Sequence, residues 1–295
     1  MKPAIAVVDV NGIYKVHTEF YASPLARKTI ILVNGSMATT ASFAQTVKTL
    51  QPQFNVVLFD LPYAGRSRQH NDYDHLISKD DEANILLELI EHFKANFLMS
   101  FSWGSVAALL ALAKRPARIE QAVISSFSPV LNEPMLDYMN RGLTFLEATD
   151  RENIGELVNS TIGKFLPSLF KRYNYRHVSS LHEHEYRQMH AHIKQVMRME
   201  SNCQMPYLAR IDIPLLFING ENDEYTTAHD ARLFGEYLPD CRFATIENAG
   251  HFLDMEHKSA CEQTRDAIFG FLQSTRPVER LHYPQMDMQH AAMAV

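Results

Sequence analysis

Residues 97–105 run Phe97-Leu98-Met99-Ser100-Phe101-Ser102-Trp103-Gly104-Ser105, and the reading of this stretch decides the fold. The apolar run Phe97-Leu98-Met99 suits the start of a buried parallel strand over 97–101. Residues 103–115 suit a helix that is apolar nearly all round, and Pro116 stops it. A strand passing into a helix through so tight a turn is the setting of the G-x-S-x-G elbow, which presents a nucleophilic serine. Here the first glycine is missing and three serines compete. Positions two before and two after the nucleophile must be small, because the turn brings two backbones close together. Ser100 as nucleophile would put Leu98 at the first of those positions, and Ser105 would put Trp103 there. Only Ser102 is flanked by small residues, Ser100 and Gly104.

Strand–helix alternation extends outward from the elbow. Residues 3–21 suit a β-hairpin turning at Asn11-Gly12, and 29–33 and 54–59 suit strands with a helix over 41–50 between them. A helix over 79–93 has Ser78 as N-cap and acidic residues in its first turn. After a strand at 121–125 the alternation breaks. From about 131 to 205 only helical stripes remain: Met135, Met139 and Leu146; Ile154, Leu157, Val158 and Ile162; Tyr186, Met189, Ile193 and Val196. A strand over 214–219, a helix over 227–237, a strand over 242–246 and a helix near 257–273 complete the pattern. The expectation is an α/β fold, a mostly parallel sheet with helices on both faces. Residues 1–130 and 206–274 would form its core, and 131–205 a helical cap over the C-terminal strand ends, where sites collect. Residues 275–295 have no period and are expected to be a frayed tail.

The 295 residues carry a net charge of -6, which gives no general affinity for nucleic acid. Cys203, Cys241 and Cys261 are few and scattered, so neither a disulfide framework nor a zinc site is expected, and a reducing cytoplasm suits them. No apolar run reaches the length of an integral membrane span, and the N-terminal stretch 4–8 is too short for a signal peptide. A soluble cytoplasmic protein without a metal is the expectation.

A serine hydroxyl is a weak nucleophile at neutral pH and needs a base, which in turn needs an orienting acid. When the serine comes first, acid and base follow on loops after later strands. The strand over 214–219 ends in Gly220-Glu221-Asn222-Asp223-Glu224. Asp223 is preferred as the acid for its spacing and short side chain, with Glu221 and Glu224 as runners-up. The strand over 242–246 ends in Glu247-Asn248-Ala249-Gly250-His251-Phe252, which makes His251 the base. Two backbone N–H groups are needed for the oxyanion: one from Trp103, the other from Ser36 or, alternatively, Met37 in the loop Asn34-Gly35-Ser36-Met37.

Four segments carry a resemblance beyond the elbow. They are Asn34-Gly35-Ser36-Met37, Phe54-Asn55-Val56-Val57-Leu58-Phe59-Asp60-Leu61-Pro62, Asp223-Glu224-Tyr225-Thr226-Thr227 and Gly250-His251-Phe252-Leu253-Asp254. The chain resembles, over nearly its whole length, the bacterial (R)-3-hydroxyacyl-ACP:CoA transacylases of the α/β-hydrolase superfamily. These link fatty-acid synthesis to medium-chain polyhydroxyalkanoate. It also resembles the related synthases that join two 3-hydroxyacyl chains into the rhamnolipid precursor. Residues 127–135 and 171–180 look more like the transacylases. The family's serine, aspartate and histidine fall on Ser102, Asp223 and His251. One motif departs: the H-x-x-x-x-D credited to such enzymes begins at His177, but position 182 is His182.

The resemblance implies an acyl-serine enzyme that takes a 3-hydroxyacyl chain from acyl carrier protein. It binds no cofactor, and CoA is a co-substrate. Water or a second hydroxyacyl group as acceptor would make it a thioesterase or a synthase instead. Met37, Met135, Met139 and Phe252 are candidate substrate contacts. Lys171, Arg172 and Arg176, with Lys164, are candidate contacts for the carrier or for CoA. A generic carboxylesterase and a non-catalytic scaffold are the competing readings, and the complete Ser-Asp-His set argues against the second.

Overall fold

The computed structural model describes residues 2–72, 75–201 and 206–274, so the tail expected over 275–295 lies outside the described residues. Among these, eight strands form one sheet: β1 Ala4–Val10, β2 Tyr14–Tyr21, β3 Thr29–Val33, β4 Asn55–Phe59, β5 Phe97–Phe101, β6 Gln121–Ser125, β7 Leu215–Gly220 and β8 Cys241–Ile246. The helices are α1 Ala44–Leu50, α2 Lys79–Phe93, α3 Gly104–Leu112, α4 Glu133–Glu147, α5 Arg151–Ser160, α6 Ser168–Ser179, α7 Glu183–Ser201, α8 Ala228–Ala231 and α9 Lys258–Leu272. The strand order is β1-β2-β4-β3-β5-β6-β7-β8. β2 is antiparallel to both neighbours, and every later pairing is parallel.

The central strands carry unbroken apolar runs because both sheet faces are covered. In β3, Ile31 and Val33 join Leu98, Ile124 and the helices α2 and α3 on one side. Ile30 and Leu32, one residue out of phase, join Met99, Val123 and the helices α1 and α9 on the other. Each such side chain, removed from water, contributes roughly 1.5–3 kcal/mol. α3 lies in the first layer, and all of it but Leu110 is buried. Its first turn is therefore fixed by packing on all sides.

Three local details differ from the sequence pattern. The hairpin loop holds three residues, Asn11, Gly12 and Ile13, with Asn11 and Gly12 at φ 57° and 70°. The segment over 41–50 begins as a 3-10 turn at Thr40–Phe43. The helix over 227–237 is only α8, which tightens into a 3-10 turn at Arg232–Glu236. That tightening seats Phe234 fully in the core, its ring 4.4 Å from that of Phe217.

Helices α4–α7 lie between β6 and β7 in the chain. Their three apolar stripes meet in one cluster with Trp103 of the turn after β5 and Val106 of α3, and Met135, Met139, Leu146, Leu157, Tyr186 and Ile193 are among its members. α6 buries only Val178, which is why no stripe marks it in the sequence. A buried polar joint pins α7 to the segment before α2. The Gln188 amide donates to the Ile77 carbonyl (2.6 Å) and accepts from the Ile77 N–H (3.0 Å). His192 Nε2 lies 2.7 Å from the same carbonyl. Beneath it Lys79 and Tyr63 both bond Glu82, at 2.8 and 2.7 Å. Burial, reinforced by Lys79, pushes the His192 pKa down to about 4, so the ring is neutral and can donate to the carbonyl.

Candidate active site

The elbow joins β5 to α3 with Ser102 at φ 50°, a left-handed conformation that costs a non-glycine residue on the order of 1–3 kcal/mol. Neighbouring strand ends hold it there. The Ser102 N–H donates to the Ser125 carbonyl (2.8 Å), and the Ser126 N–H donates to the Ile218 carbonyl (2.8 Å). The Ser126 hydroxyl donates to the His251 carbonyl (2.6 Å), so the ends of β5, β6 and β7 and the loop after β8 are laced together.

Steric demand on the flanking positions is explicit. A Cβ at Gly104 would lie 2.1 Å from the Asn34 carbonyl oxygen, and one at Gly35 would lie 3.2 Å from the Phe101 carbonyl. The elbow and the 34–37 loop therefore touch backbone to backbone. At the other small position, Ser100 is fully buried and its Oγ lies 2.9 Å from that of Ser105, also fully buried. The serine that replaces the motif's glycine thus brings a hydroxyl whose partner is the third serine of the same stretch.

Ser102 Oγ lies 3.0 Å from His251 Nε2, and His251 Nδ1 lies 2.8 Å from Asp223 Oδ2. Asp223 also accepts from the Thr226 hydroxyl (2.6 Å) and from the N–H groups of Tyr225 (2.9 Å) and Thr226 (3.1 Å). Burial alone would raise its carboxyl pKa. Attraction to His251 and the bonds from His251 and Thr226 outweigh burial and hold it below its ordinary value. The two glutamates weighed as alternatives are engaged elsewhere. Glu221 accepts from the Asn248 N–H (2.8 Å), and Glu224 pairs with Lys164 (2.7 Å). The loop carrying His251 is held by a residue that no sequence pattern singles out. Buried Glu256 accepts from the N–H groups of Gly250 (2.6 Å) and Phe252 (2.9 Å).

Ser36, Met37 and Trp103 border the same space, and their N–H groups donate to no protein acceptor among the described residues. Met37 turns at φ 54°, and its carbonyl lies 2.8 Å from His177 Nε2 on α6. His177 therefore braces the 34–37 loop from the cap, apart from the Ser102–His251–Asp223 relay. His182, where the motif would have aspartate, lies just before α7; its Nδ1 accepts from the His184 N–H (3.3 Å).

The cavity over Ser102 encloses about 1090 Å3 including its open mouth. Its walls are mainly apolar. Met135, Tyr138, Val158 and Met189 come from the cap; Met99, Phe101 and Phe252 come from the core. Of the candidate substrate contacts, Met37, Met135 and Phe252 line this cavity. Met139 does not: it is fully buried in the apolar cluster where α4–α7 meet. Arg172 and Arg176 are exposed and Lys171 is half-buried, and none of the three lines the cavity.

An eight-stranded sheet of this order, a strained serine elbow, and acid and base on the loops after β7 and β8 define a class. Residues 28–258 match the family model for the alpha/beta hydrolase fold, and the chain belongs to that family. Solved structures agree at the level of fold. A hydrolase from Pseudomonas aeruginosa superposes with a TM-score of 0.72 at 18% identity, covering 92% of this chain and 98% of its own. A bromoperoxidase from Bacillus anthracis gives 0.74 at 17% identity, covering 92% and 100%. The sequence relatives are nearer and of one kind. An (R)-3-hydroxydecanoyl-ACP:CoA transacylase of Pseudomonas aeruginosa is 59% identical over 97% of this chain and 96% of its own. The protein of the same name from Pseudomonas putida is 59% identical over 99% of both.

Proposed function

We propose that the protein transfers an (R)-3-hydroxyacyl group from acyl carrier protein to CoA through an acyl-serine at Ser102. One observation carries the chemistry: the unbroken relay Ser102–His251–Asp223 opens into an apolar cavity. The substrate class rests on the relatives' names.

Ser102 Oγ attacks the thioester carbonyl while His251 Nε2 takes its proton, and Asp223 holds the imidazole and stabilises its charge. The tetrahedral oxyanion is held by the N–H groups of Trp103, at the start of α3, and Ser36. Collapse expels the carrier's thiol, which leaves with the proton from His251. CoA then enters as a thiol, His251 takes its proton, and attack on the acyl-serine regenerates Ser102 and releases 3-hydroxyacyl-CoA, a precursor for medium-chain polyhydroxyalkanoate. The apolar walls disfavour water as the competing acceptor.

Product analysis tests this reading. Purified protein is incubated with 3-hydroxydecanoyl-ACP, with and without CoA, and products are identified by mass spectrometry. A CoA thioester that forms only with CoA, and is lost in Ser102→Ala, is expected. Free acid at the same rate in both cases, with no CoA thioester, would sink the proposal.

A further inference from the structure

Ser102 is half-buried in the wall of a cavity partly enclosed by α4, α5, α6 and α7, so a thioester on a bulky carrier must reach it along a thin linker. The cavity runs into a larger surface groove, about 2190 Å3 with its open side included, and Ser42, Asn174, His177, Phe252, Asp254 and Met255 line both spaces. Three helical elements wall this groove: α1, the start of α6 and the first half of α9.

The walls differ in chemistry. On the α6 side, Leu166, Pro167, Phe170 and Tyr173 line the groove. This wall belongs to a patch where large apolar side chains stand in solvent: Phe165 is 40% exposed, Leu169 53%, Phe170 40% and Tyr173 55%. Solvent-facing apolar groups gathered so closely mark a surface that something covers. Lys48 on α1 and Lys258 and Arg265 on α9 also line the groove. So do Glu262 on α9 and Glu256 just before it; the Glu256 carboxylate is taken up by the Gly250 and Phe252 N–H groups. All three cations are exposed. Lys258 and Arg265 pair only with Glu262 and Asp266 of their own helix, and Lys48 makes no ion pair among the described residues. Such exposed pairs are worth about 1 kcal/mol or less, so the cations can turn to a phosphate, which they bind more strongly. Along the same groove, Gln45 and Asn174 offer amides and Asp254 a carboxyl bonded by the Thr46 hydroxyl (2.8 Å).

An occupant of this groove has a reactive end at Ser102, a stem with apolar and amide segments, and an anionic outer end. The 4′-phosphopantetheine arm has that order of groups: a thiol, two amides separated by methylenes, a dimethyl-substituted carbon and a phosphate. It is common to acyl carrier protein and CoA. We propose that the groove between α1, α6 and α9 binds this arm. Phe170 and Tyr173 lie against its apolar stem, and Lys48, Lys258 and Arg265 hold the phosphate. Donor and acceptor occupy the groove in turn, so each competes with the other for the free enzyme. This rests on the transfer proposed above and moves the anion contact away from Lys171, Arg172 and Arg176, none of which lines the groove.

The test uses the full chain with three substrates: 3-hydroxydecanoyl-ACP, CoA as acceptor, and the N-acetylcysteamine thioester of 3-hydroxydecanoate, which has no phosphate. The double variant Lys48→Glu, Lys258→Glu removes two charge-assisted contacts and should raise KM about a hundredfold for both acyl-ACP and CoA. KM for the short thioester should stay within about twofold, since it has no phosphate to lose. Tyr173→Ala should raise KM for CoA as well, by removing the wall against the stem. A rise for acyl-ACP alone would make the groove a docking face for the carrier's protein surface and overturn the assignment. No rise for either, or an equal loss with the short thioester, would overturn it too. If the unsubstituted protein forms no CoA thioester from any donor, the transfer reaction itself fails, a result distinct from these.

Discussion

Alanine at Ser100 or at Ser105 should each destabilise the protein, and the double substitution should cost less than the two together. The hydroxyls lie 2.9 Å apart at 0% exposure, and each is the other's partner. Removing one leaves the other buried and unpaired, at about 1–3 kcal/mol. Removing both forfeits only the net worth of a neutral hydrogen bond, about 1 kcal/mol. Single losses near ~2 kcal/mol and a double loss near ~1 kcal/mol give a coupling of about 3 kcal/mol. Urea unfolding can be followed through Trp103, the chain's single tryptophan, which is buried beside the elbow. Both single variants keep a small side chain at their position, so labelling of Ser102 by a fluorophosphonate should proceed at the parent rate. Strictly additive losses, or a Ser100→Ala variant as stable as the parent, would refute the idea that Ser105 makes a serine acceptable where the motif has glycine.

Gly104→Ala forces a Cβ to within 2.1 Å of the Asn34 carbonyl oxygen, a backbone clash that no rotamer relieves. The 34–37 loop must retreat with its N–H donor, lowering single-turnover acylation about 10²–10³-fold; a parent-like rate would contradict this geometry. Asp223→Asn should lower kcat about 10⁴-fold with KM little changed, because an amide cannot both orient the imidazole and stabilise its charge. His192, with its pKa near 4 in the fold, binds fewer protons folded than unfolded between about pH 6.5 and 4. Its contribution is complete above pH 6.5 and is lost as pH falls to about 4, on the order of 3 kcal/mol. His192→Gln should therefore flatten the urea stability profile over that interval, and an unchanged slope would remove His192 as its source.

Much of this protein is legible along the chain because its central strands are buried on both faces. Residues 30–33, 97–99 and 122–124 are apolar without a break, and that continuity, followed each time by a turn, identifies parallel strands. Parallel strands all point the same way, so loops far apart in sequence meet at one edge of the sheet. Ser102, Asp223 and His251 could be singled out on that ground. The cap was less legible. Apolar stripes reveal which side of a helix is buried, not what it is buried against. Met135 and Met139 stand one turn apart on the same stripe, yet Met135 borders the cavity and Met139 lies only in the apolar cluster where α4–α7 meet. α6 shows no stripe because most of its surface is in water, and it nevertheless brings His177 to the Met37 carbonyl.

The sequence by itself determined the sheet and the elbow and singled out Ser102 among three serines as the candidate nucleophile, because strand continuity and the size limits of a tight turn are local properties. Only the tertiary structure decided what the other two serines do, since the bond between Ser100 and Ser105 depends on where β5 leaves the first turn of α3. It also decided that Glu256 clamps the His251 loop and that His177 braces the 34–37 loop. The groove beside the cavity is likewise a tertiary fact: α1, α6 and α9 contribute one wall each, and no local pattern encodes the space between elements so distant in the chain.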